Sequence, residues 1–375
     1  MKIAIVTFAA YGAGGQYTAH LANALSDVAK VAVLLPAAAD TGPLSAGVSL
    51  IKLPLPFNLV PAAFTALKPA FQKVFMEALD HEKPDVVHLV FEHRFPYFYA
   101  CRLSRRYPLV ATIHEPRSIA NRGPVGNLIA GSLQYMNNSG LARCSDRVIV
   151  HGENLKTSRL ISKLAADKVK VVPIGALSFA SGDKAAPQKT GKNVLFFGRI
   201  APYKGLEYLI EAAEKIRPSL PGLTVTIAGE GDLSKYTGKL GDRAFFQVHN
   251  MYIPDDEAAG LFQTADLVVL PYTDGTQTLL ISLAASFSKP AVVTDVGNFA
   301  EMVEDGKTGL VVPPRDTQAL ADAMLKLLKD DDLRIAMGQN ARRSMQAQYS
   351  WEAIVKITTS VYNEAIAAHA KRAEG

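Results

Sequence analysis

Cysteine is scarce in this sequence, and several other features are missing. The chain of 375 residues has 2 cysteines, Cys101 and Cys144, without metal-ligand spacing around either. We therefore expect a reducing compartment and no disulfide framework. No apolar run reaches the roughly 18 residues that suggest a membrane-spanning helix, and no internal repeat has a fixed period. The amino-terminal MKIAIVTFAA predicts a first strand, not a signal peptide.

Size and charge distribution are more informative. A chain of 375 residues exceeds one ordinary domain, and 49% hydrophobic with 20% charged residues is typical of a soluble globular protein. Residues 1–180 hold 19 Lys and Arg against 11 Asp and Glu, a net charge of +8; the rest holds 21 against 24, a net charge of −3. A basic first half indicates an anionic partner, which is nucleic acid, an anionic membrane surface or a pyrophosphate-bearing acceptor.

Short runs rich in Val, Ile and Leu alternate with helix-length segments. The strand candidates are KIAIVTF, VAVLLP, PDVVHLV, PLVATIH and DRVIVHG, followed by NVLFFG, LTVTIAG, ADLVVLPY, KPAVVTD and GLVVP. Runs that are apolar on both faces are typical of parallel strands buried between helices. We predict an α/β fold of two Rossmann-like, doubly wound domains, residues 1–180 and 186–350, with a linker at 178–192. A helix at about 351–375 is expected to pack back on the first domain.

Two cations follow the strand NVLFFG. Arg199 and Lys204 stand in a loop flanked by Gly198 and Gly205. Loops at the carboxyl ends of parallel strands bind ligands in open α/β sheets. A guanidinium fork and a mobile ammonium together suit a diphosphate. The alternative is a pair of solvated surface cations.

Further candidates follow the next strands. The glycines of IAGEGDL would let a ligand approach the backbone, although an ordinary strand-to-helix turn has the same pattern. In LPYTDGTQT we expect a helix to start near residues 276–278 and offer N–H groups to a phosphate, with Asp274 as an alternative cap. Glu301, the last residue of VGNFAE, is either a ligand contact or a capping or surface carboxylate. The candidates are Gly229, Glu230, Gly231, Asp274, Gln277, Thr278 and Glu301.

The first half offers a glycine-rich turn and a histidine. YGAGGQYTAHLANAL contains Gly14 and Gly15, but the dinucleotide fingerprint requires a glycine where Tyr17 stands. The next strand ends at Pro36, not at a ribose-binding acid, which argues against a dehydrogenase. The turn still allows a substrate to approach a helix end. His114, in ATIHEP, lies just past a strand end and is either structural or a ligand contact.

The segment 53–79 is rich in aromatic residues interleaved with Lys68 and Lys73. An amphipathic helix in a basic domain suits shallow insertion at an anionic membrane. The alternative is that the aromatics, including Phe71 and Phe75, cover the sheet of their own domain. Membrane attachment through one such helix would be weak and reversible.

Taken together, the motifs resemble a known family. GRIAPYKGLEYLIEA, TVTIAGEGD, YIPDDEAAGLFQTADLVVLPY, KPAVVTDVGNFAEMV and GKTGLVVPP, in this order, resemble the carboxyl-terminal domain of the family 4 glycosyltransferases. GGQYTAHLANAL, PDVVHLV, TIHEP and SDRVIVHGENLK look like its acceptor domain. The resemblance covers nearly the whole chain. It implies the GT-B fold, with two Rossmann-like domains facing across a cleft. It also implies retaining transfer from a nucleotide-diphosphate sugar without a metal or other cofactor.

The resemblance also implies residue roles. Arg199 and Lys204 would bind the donor diphosphate and stabilise the charge that grows on the leaving group. Gly15 would approach the donor from the first domain, His114 would contact the donor sugar or the acceptor, and Glu230 would lie near the base. The candidate catalytic residues are thus Arg199, Lys204 and His114. The candidate donor-binding residues are Gly14, Gly15, Gly198, Gly229, Glu230, Gly231, Asp274, Gln277, Thr278 and Glu301.

The sequence departs from the family at one motif. Many members carry two glutamates that contact the donor sugar and the ribose, and Gly275 and Leu283 stand at those places. PYTDGTQT resembles a branch with the pattern PY-x-D-[AG]-[ST]-Q-[ST]. In that branch Asp274, Gln277 and Thr278 would take over contacts to sugar and phosphate.

We therefore predict a cytoplasmic, membrane-peripheral, retaining glycosyltransferase. It would use a UDP- or GDP-sugar and extend a glycan or lipid-linked acceptor in cell-surface glycan synthesis. We also expect it to touch an anionic membrane through residues 53–79 and to bind no nucleic acid. One alternative is a catalytically silent GT-B homologue that binds a glycan or a partner transferase, which the missing glutamates suggest. Another is a nucleotide-sugar epimerase or a sugar phosphorylase on the same fold.

Overall fold

The chain forms two compact units. The structure, a computed structural model, describes residues 1–8, 12–37, 39, 44–55, 68–91, 96–114, 123–157, 167–176, 192–240 and 244–374. Unit 1 comprises Met1–Gly175 and Trp351–Gly375, and unit 2 comprises Ala176–Ser350. All but the last residue of the segment proposed as a linker, 178–192, lies outside the described residues.

Unit 1 is built on a parallel sheet. Its described strands are β1 (Lys2–Thr7), β2 (Lys30–Pro36), β3 (Val48–Leu53), β4 (Val86–Phe91), β5 (Leu109–Thr112), β6 (Arg147–Val150) and β7 (Val169–Val171). They lie in the order β3-β2-β1-β4-β5-β6-β7. The described helices before unit 2 are α1 (Gly12–Ser26), α2 (Pro69–Glu82), α3 (Pro96–Leu103), α4 (Gly123–Cys144) and α5 (Glu153–Lys156).

Unit 2 is also built on a parallel sheet. Its described strands are β8 (Asn193–Phe197), β9 (Thr224–Ala228), β10 (Phe246–His249), β11 (Leu267–Leu270), β12 (Ala291–Thr294) and β13 (Gly309–Val312). Their order is β10-β9-β8-β11-β12-β13. The helices are α6 (Leu206–Ile216), α7 (Thr237–Leu240), α8 (Asp255–Thr264), α9 (Leu280–Ser286), α10 (Phe299–Met302), α11 (Thr317–Lys329) and α12 (Asp331–Tyr349), with 3₁₀ turns at Pro202–Lys204 and Arg217–Ser219.

The terminal helix belongs to unit 1. This helix, α13 (Trp351–Glu374), packs against α1, β5 and β6. It buries apolar side chains at helical spacing, Ile354, Val355, Val361 and Tyr362 among them. The spacing of these residues places them on the face that packs on the sheet.

The two sheets confirm the predicted fold class. Every strand pair in both sheets is parallel. All ten strand candidates correspond to strands of the structure. Three strands were missed, β3, β7 and β10, and each lies at an edge of its sheet. Most residues of β3 and β10 are at least partly exposed, so these strands lack the continuous apolar signal of a buried parallel strand.

The structure corrects the expectation about cysteine. Cys101, near the end of α3, and Cys144, the last residue of α4, form a disulfide. The prediction of a chain without a disulfide was therefore wrong. The two cysteines are 43 positions apart in sequence. Because α3 packs along α4, their Cα atoms come within 5.0 Å, a proximity that sequence spacing does not reveal.

The segment 53–79 is described only in part. Phe71 and Phe75 of α2 are 4% and 0% exposed, and they lie in the core of unit 1 with ring centroids 6.2 Å apart. These two aromatics therefore cover the sheet of their own unit and do not face a membrane. Residues 56–67 lie outside the described part of the chain. Among the helices that the structure describes, none has the length and apolar content to cross a bilayer.

Candidate active site

The strand order of unit 2 defines where a ligand is expected. β9 and β10 lie on one side of β8, whereas β11, β12 and β13 lie on the other. The direction of strand addition thus reverses between β8 and β11, and ligands bind outside the carboxyl ends of strands at such a point. Arg199 and Lys204 follow β8, and Asp274, Gln277 and Thr278 follow β11. The structure therefore brings these sequence-predicted residues to one edge.

The loops after β8 and β9 are in direct backbone contact. The Ile200 N–H donates to the Glu230 carbonyl at 2.8 Å. Gly229 has a φ of +142°, and a Cβ there would lie 2.4 Å from the Gly198 carbonyl oxygen. A Cβ at Gly231 would lie 2.2 Å from the Ile200 carbonyl oxygen. Only glycine allows this approach, so these glycines hold the two loops together. The Glu230 side chain between them is exposed.

The turn that carries Lys204 is fixed against the end of β11. Gly205 has a φ of +67°, and a Cβ there would lie 2.0 Å from the Pro271 carbonyl oxygen. The Thr273 N–H donates to the Tyr203 carbonyl at 2.8 Å. These contacts hold the Pro202–Lys204 turn over the switch point.

Lys204 is a buried cation. Its residue is 7% exposed, and Nζ lies 5.4 Å from the centroid of the Tyr272 ring. A Cβ at Gly198 would lie 2.8 Å from Nζ, so the glycine leaves room for the ammonium. Burial, and then the charge of Arg199, lower the pKa of Lys204 to about 8. Among the described residues no carboxylate pairs with Lys204.

Arg199 completes the cationic pair. It is exposed at the tip of the same loop, and its charge acts on Lys204. The interpretation as two solvated cations fits the exposure of Arg199 but not the burial of Lys204. Two cations held together, one of them desolvated, form a site suited to an anion with several oxygen atoms.

The loop after β11 differs from its prediction. Helix α9 begins at Leu280, not at residues 276–278. The N-cap residue of α9 is Leu279, not Asp274, whose carboxylate accepts the Gly275 N–H at 2.8 Å. The Thr278 hydroxyl accepts the Leu280 N–H at 3.2 Å. Thr278 therefore lies before α9, and its side chain takes up an N–H of the first turn, which had been expected to face a phosphate.

Contacts from the next loop explain the late start of α9. A Cβ at Gly297, which has a φ of +56°, would lie 2.4 Å from the Thr276 carbonyl oxygen. The Asn298 N–H donates to that same carbonyl at 3.0 Å. Thr276 is thus held outside the helix, and Gln277 beside it is half-buried. Glu301 lies in the short helix α10 with its side chain exposed, and its carbonyl accepts the Tyr349 hydroxyl at 3.4 Å.

The two positions that match the missing glutamates are both buried. Gly275 lies in the loop after β11, and Leu283 is 4% exposed within a core cluster of unit 2. Neither position therefore provides a carboxylate to the site. Across the described residues, no group of three His, Cys, Asp or Glu side chains is arranged to hold a metal ion.

In unit 1 the two glycines lie inside a helix. Gly14 and Gly15 belong to the first turn of α1, not to a loop before it. The Gly14 carbonyl accepts the Thr18 hydroxyl at 2.9 Å. Gly15 is buried. The glycines therefore shape the amino-terminal turn of α1, at the carboxyl end of β1.

His114 lies in a histidine pair that the sequence analysis did not identify. Its Nε2 lies 2.8 Å from the Val90 carbonyl oxygen, and its Nδ1 lies 3.0 Å from Nε2 of His151. Nδ1 of His151 lies 2.7 Å from the Val172 carbonyl oxygen. The two histidines meet because β5 and β6 are neighbours in the parallel sheet. The signal was present in the run DRVIVHG, where His151 directly follows β6.

A further buried histidine lies one strand away. His88 of β4 has Nδ1 2.8 Å from the Tyr362 hydroxyl and Nε2 2.8 Å from the Thr112 hydroxyl. Burial lowers the pKa of His88 to about 3 and that of His151 to about 4. Burial and the charge of His151 also hold the pKa of His114 well below its ordinary value.

Comparison with known families agrees with this architecture. A family model described as Glycosyltransferase Family 4 matches residues 14–176. A second, described as Glycosyl transferases group 1, matches residues 191–330. The two matches lie in the same order as the two units. The chain belongs to the family 4 glycosyltransferases, and its fold is GT-B.

Individual relatives support this assignment. The alpha-D-kanosaminyltransferase of Streptomyces kanamyceticus is 35% identical over 175 residues, which are 46% of this chain and 45% of that protein. The phosphatidyl-myo-inositol mannosyltransferase of Mycobacterium tuberculosis (strain H37Rv) is 27% identical over 332 residues, 85% of this chain and 84% of that protein. The structure of Anabaena HepE in complex with UDP and glucose superposes with a TM-score of 0.72 at 19% identity, covering 97% and 99% of the two chains.

Proposed function

We propose that this chain transfers a hexosyl group from a nucleotide-diphosphate sugar to a glycan or lipid-linked acceptor, with retention of anomeric configuration. The observation that carries the proposal is Lys204, a buried ammonium beside Gly198 that no carboxylate of the described residues neutralises. A diphosphate supplies the missing negative charge. Arg199, exposed on the same loop, adds a second cation.

The reaction explains why a protein would bury such a cation. When the glycosidic bond to the donor breaks, negative charge grows on the departing nucleotide diphosphate. Cations already in place stabilise this charge more strongly in the transition state than in the ground state. Each charge-assisted hydrogen bond contributes about 1.5–3 kcal/mol. The departing phosphate accepts the acceptor's proton in our proposal, which therefore needs neither a protein base nor a metal.

The remaining predicted residues are assigned around the diphosphate. Asp274, Gln277 and Thr278 would contact sugar and phosphate from the loop after β11, and Glu230 would lie near the base. Gly198, Gly229 and Gly231 would shape the loops that carry the donor site of unit 2, and Gly14 and Gly15 would let the donor approach the first turn of α1. Glu301 would contact the donor from α10.

Our proposals for the base of the donor and for the acceptor are supported by the comparisons with known proteins. HepE, which shares the fold, is described in complex with UDP and glucose, which favours UDP over GDP as the first donor to test. The relative named phosphatidyl-myo-inositol mannosyltransferase favours a lipid-linked acceptor. A basic first half suits such an acceptor and a cytoplasmic, membrane-peripheral enzyme of cell-surface glycan synthesis.

A silent GT-B homologue is the second candidate. The observation that favours it is the absence of both glutamates, whose places are taken by the buried Gly275 and Leu283. Such a protein would bind a glycan or a partner transferase and would have no need of a desolvated cation. The retention of Lys204 in the site argues for catalysis.

Nucleotide binding tests the proposal directly. UDP, GDP, ADP, TDP and their sugar conjugates would be titrated by calorimetry, with magnesium and with a chelator. We expect selective binding of one nucleotide diphosphate, independent of metal and lost in Arg199→Ala. Lys215→Met is the matched control, because it removes one positive charge from α6. The Nζ of Lys215 donates to the Gln318 side chain at 3.1 Å.

The outcomes separate the candidates. Binding without sugar transfer would favour the silent homologue, and absence of binding to every nucleotide would contradict the donor site. Product analysis then identifies the reaction. An epimerase changes the donor sugar without an acceptor, a phosphorylase requires free phosphate, and a transferase requires an acceptor.

A further inference from the structure

A cavity of about 470 Å³ lies in unit 1, at the edge of the sheet opposite His114. The helices α3 and α4 lead directly into β5 and β6, so the ends of these two helices lie at the amino edge of the sheet. The end of α13 joins them there. The lining of the cavity includes Cys101, Arg105, Arg143, Cys144, His369 and Arg372. The cavity is therefore separate from the unit 1 residues that we assign to sugar transfer.

One of the three arginines, Arg372, is held by contacts within the unit. Its guanidinium lies 3.1 Å from the Asp146 carboxylate, donates to the Ser104 carbonyl, and donates to Nδ1 of His369 at 2.9 Å. Asp146 is 4% exposed, and its carboxylate also accepts the Leu109 N–H at 2.9 Å. Arg372 therefore balances the charge of this buried carboxylate.

Arg105 and Arg143 are in a different situation. Both are exposed, and neither side chain has a hydrogen bond or an ion pair with another described residue. By contrast, the guanidinium of Arg106, directly after Arg105, lies 3.2 Å from the Asp80 carboxylate. The lining therefore carries two positive charges for which the described part of the chain supplies no anion.

The ends of the helices offer a purely structural explanation for these two cations. Arg143 lies in the last turn of α4, and Arg105 follows the end of α3 by two residues. The partial negative charge at the carboxyl end of a helix stabilises a cation there. This effect explains each position along the chain, but not why both arginines line one cavity. The Cys101–Cys144 disulfide joins the two helix ends and fixes the spacing of the backbone that carries both arginines.

The chemistry of the two arginines indicates the ligand. A guanidinium binds phosphate or carboxylate oxygens through parallel N–H groups. A phosphate monoester carries about two negative charges at neutral pH and three acceptor oxygens, so one such group can meet both arginines. A single carboxylate would leave one of the two positive charges without a counterion.

We propose that this cavity binds a phosphate monoester group through Arg105 and Arg143. It is an anion site of unit 1, additional to the diphosphate site proposed in unit 2. Arg372 is a positioning residue, because its bonds to Asp146 and to the Ser104 carbonyl tie the end of α13 to the segment that carries Arg105. The phosphate belongs either to a soluble ester or to the headgroup of phosphatidic acid, and both present the same group.

A soluble ester tests the site first. The full chain would be titrated with glycerol 3-phosphate by calorimetry, with acetate at equal ionic strength as the reference anion. We expect saturable binding of the phosphate ester and none of acetate. Arg105→Gln and Arg143→Gln should each weaken the binding by about tenfold or more, since each removes a charge-assisted contact.

Lys371→Gln is the matched control. It removes an exposed positive charge from the last turn of α13, and Lys371 is not part of the lining. Its affinity for the ester should equal that of the wild-type chain. If Arg143→Gln does not fold, Arg143→Lys decides, because lysine keeps the charge at the helix end and loses the planar fork of donors.

Vesicles distinguish the two sources of the phosphate. Co-sedimentation would compare phosphatidylcholine vesicles that contain phosphatidic acid with vesicles that contain phosphatidylglycerol, whose phosphate is a diester. A preference for phosphatidic acid that is lost in Arg143→Gln would identify a lipid headgroup. Binding of glycerol 3-phosphate without this preference would identify a soluble ester.

Three results would overturn the inference. The first is a wild-type chain that binds neither glycerol 3-phosphate nor phosphatidic acid. The second is unchanged affinity in the folded Arg105 and Arg143 variants. The third is an equal loss in Lys371→Gln, which would assign the binding to the overall charge of the unit and not to the cavity.

The test is independent of the proposed function. Arg199→Ala should lose nucleotide binding and keep the binding of glycerol 3-phosphate, whereas Arg143→Gln should show the reverse. A chain that binds no nucleotide but keeps the ester would contradict only the proposed donor site. A chain that binds a nucleotide but no phosphate ester would contradict only the site in the cavity.

Discussion

The carboxyl edges of the two sheets differ in how their buried ionisable side chains are satisfied. In unit 1, both ring nitrogens of His114 have partners within the unit. In unit 2, the Lys204 ammonium faces the Tyr272 ring and no carboxylate among the described residues. Buried charges are normally paired. Among the described residues, the comparison indicates that the buried histidines of unit 1 are satisfied within their unit, whereas the Lys204 ammonium of unit 2 has no carboxylate partner and is suited to an anion.

The two edges are also built differently. The unit 1 edge is held by side chains that bond one another across β4, β5 and β6. The unit 2 edge is held by backbone contacts between loops, which the glycines at 205, 229 and 231 permit. This backbone framework does not use the side chains of Arg199 and Lys204. This difference predicts that substitutions in unit 1 mainly change stability, while substitutions at the unit 2 edge mainly change binding.

The largest expected effect concerns the disulfide of unit 1. Cys101→Ser should lower the free energy of unfolding of this unit by about 4 kcal/mol, because a bond that closes a loop of 43 positions restricts the unfolded chain. Denaturant unfolding would measure the loss. Nucleotide binding by unit 2 should persist. Wild-type chain treated with a reductant must lose the same amount, and equal stability with and without reductant would show that the bond does not form in solution.

The next effect concerns Lys204. Lys204→Met should lower turnover about a hundredfold or more, as removal of a preorganised charge does in other enzymes. It should at the same time raise the free energy of unfolding by up to about 3 kcal/mol, because burial disfavours the charged form by the shift of its pKa from 10.5 to about 8. This gain in stability is full below pH 8, where Lys204 of the wild-type chain is protonated in both the folded and the unfolded state. It vanishes above pH 10.5, where Lys204 is neutral in both states.

A second buried lysine provides the control. Lys289 is 6% exposed, but its Nζ donates to the Gln263 carbonyl at 2.8 Å. Burial lowers the pKa of Lys289 too, but Lys289→Met removes the donor to the Gln263 carbonyl and the charge that attracts Asp266. The variant should therefore destabilise unit 2 and leave diphosphate affinity unchanged. If Lys204→Met also destabilised the unit and left turnover intact, Lys204 would be a structural residue and the contrast between the edges would disappear.

The smallest effect is on pH dependence. The affinity for the nucleotide diphosphate should fall by about tenfold per pH unit above pH 8, since the free protein then loses the Lys204 proton that binding requires. Calorimetry in buffers of different ionisation enthalpy should show proton uptake on binding above pH 8. Constant affinity well above that pH would mean that Lys204 does not meet the diphosphate.

Burial explains which strands could be predicted. Strands such as β8 and β11 are covered on both faces and are continuously apolar, so the sequence shows them directly. The edge strands β3 and β10 are partly exposed and were missed. The edge strand β13 was predicted because three of its four residues are buried. The signal therefore follows burial rather than the position in the sheet alone.

The candidate site was predictable only in part. A strand followed by Arg199 and Lys204 indicates an anion site from the sequence, because the carboxyl ends of parallel strands carry the ligands. The pattern does not show that Lys204 is buried, since this depends on the space over Gly198 and on Tyr272 from another loop. His151 was not identified as a partner of His114, 37 positions away, because the register between neighbouring strands brings them together.

By itself, the sequence determined the fold class and the residues available for chemistry, since local hydrophobic patterns and strand-end motifs are properties of short segments. The tertiary structure decided the charge state of those residues. Protonation depends on burial and on partners distant in sequence: Lys204 loses solvent without gaining an anion, and His114 gains a second histidine. It also decided that Cys101 and Cys144 meet, because the packing of two helices, and not the spacing of two cysteines, sets their distance.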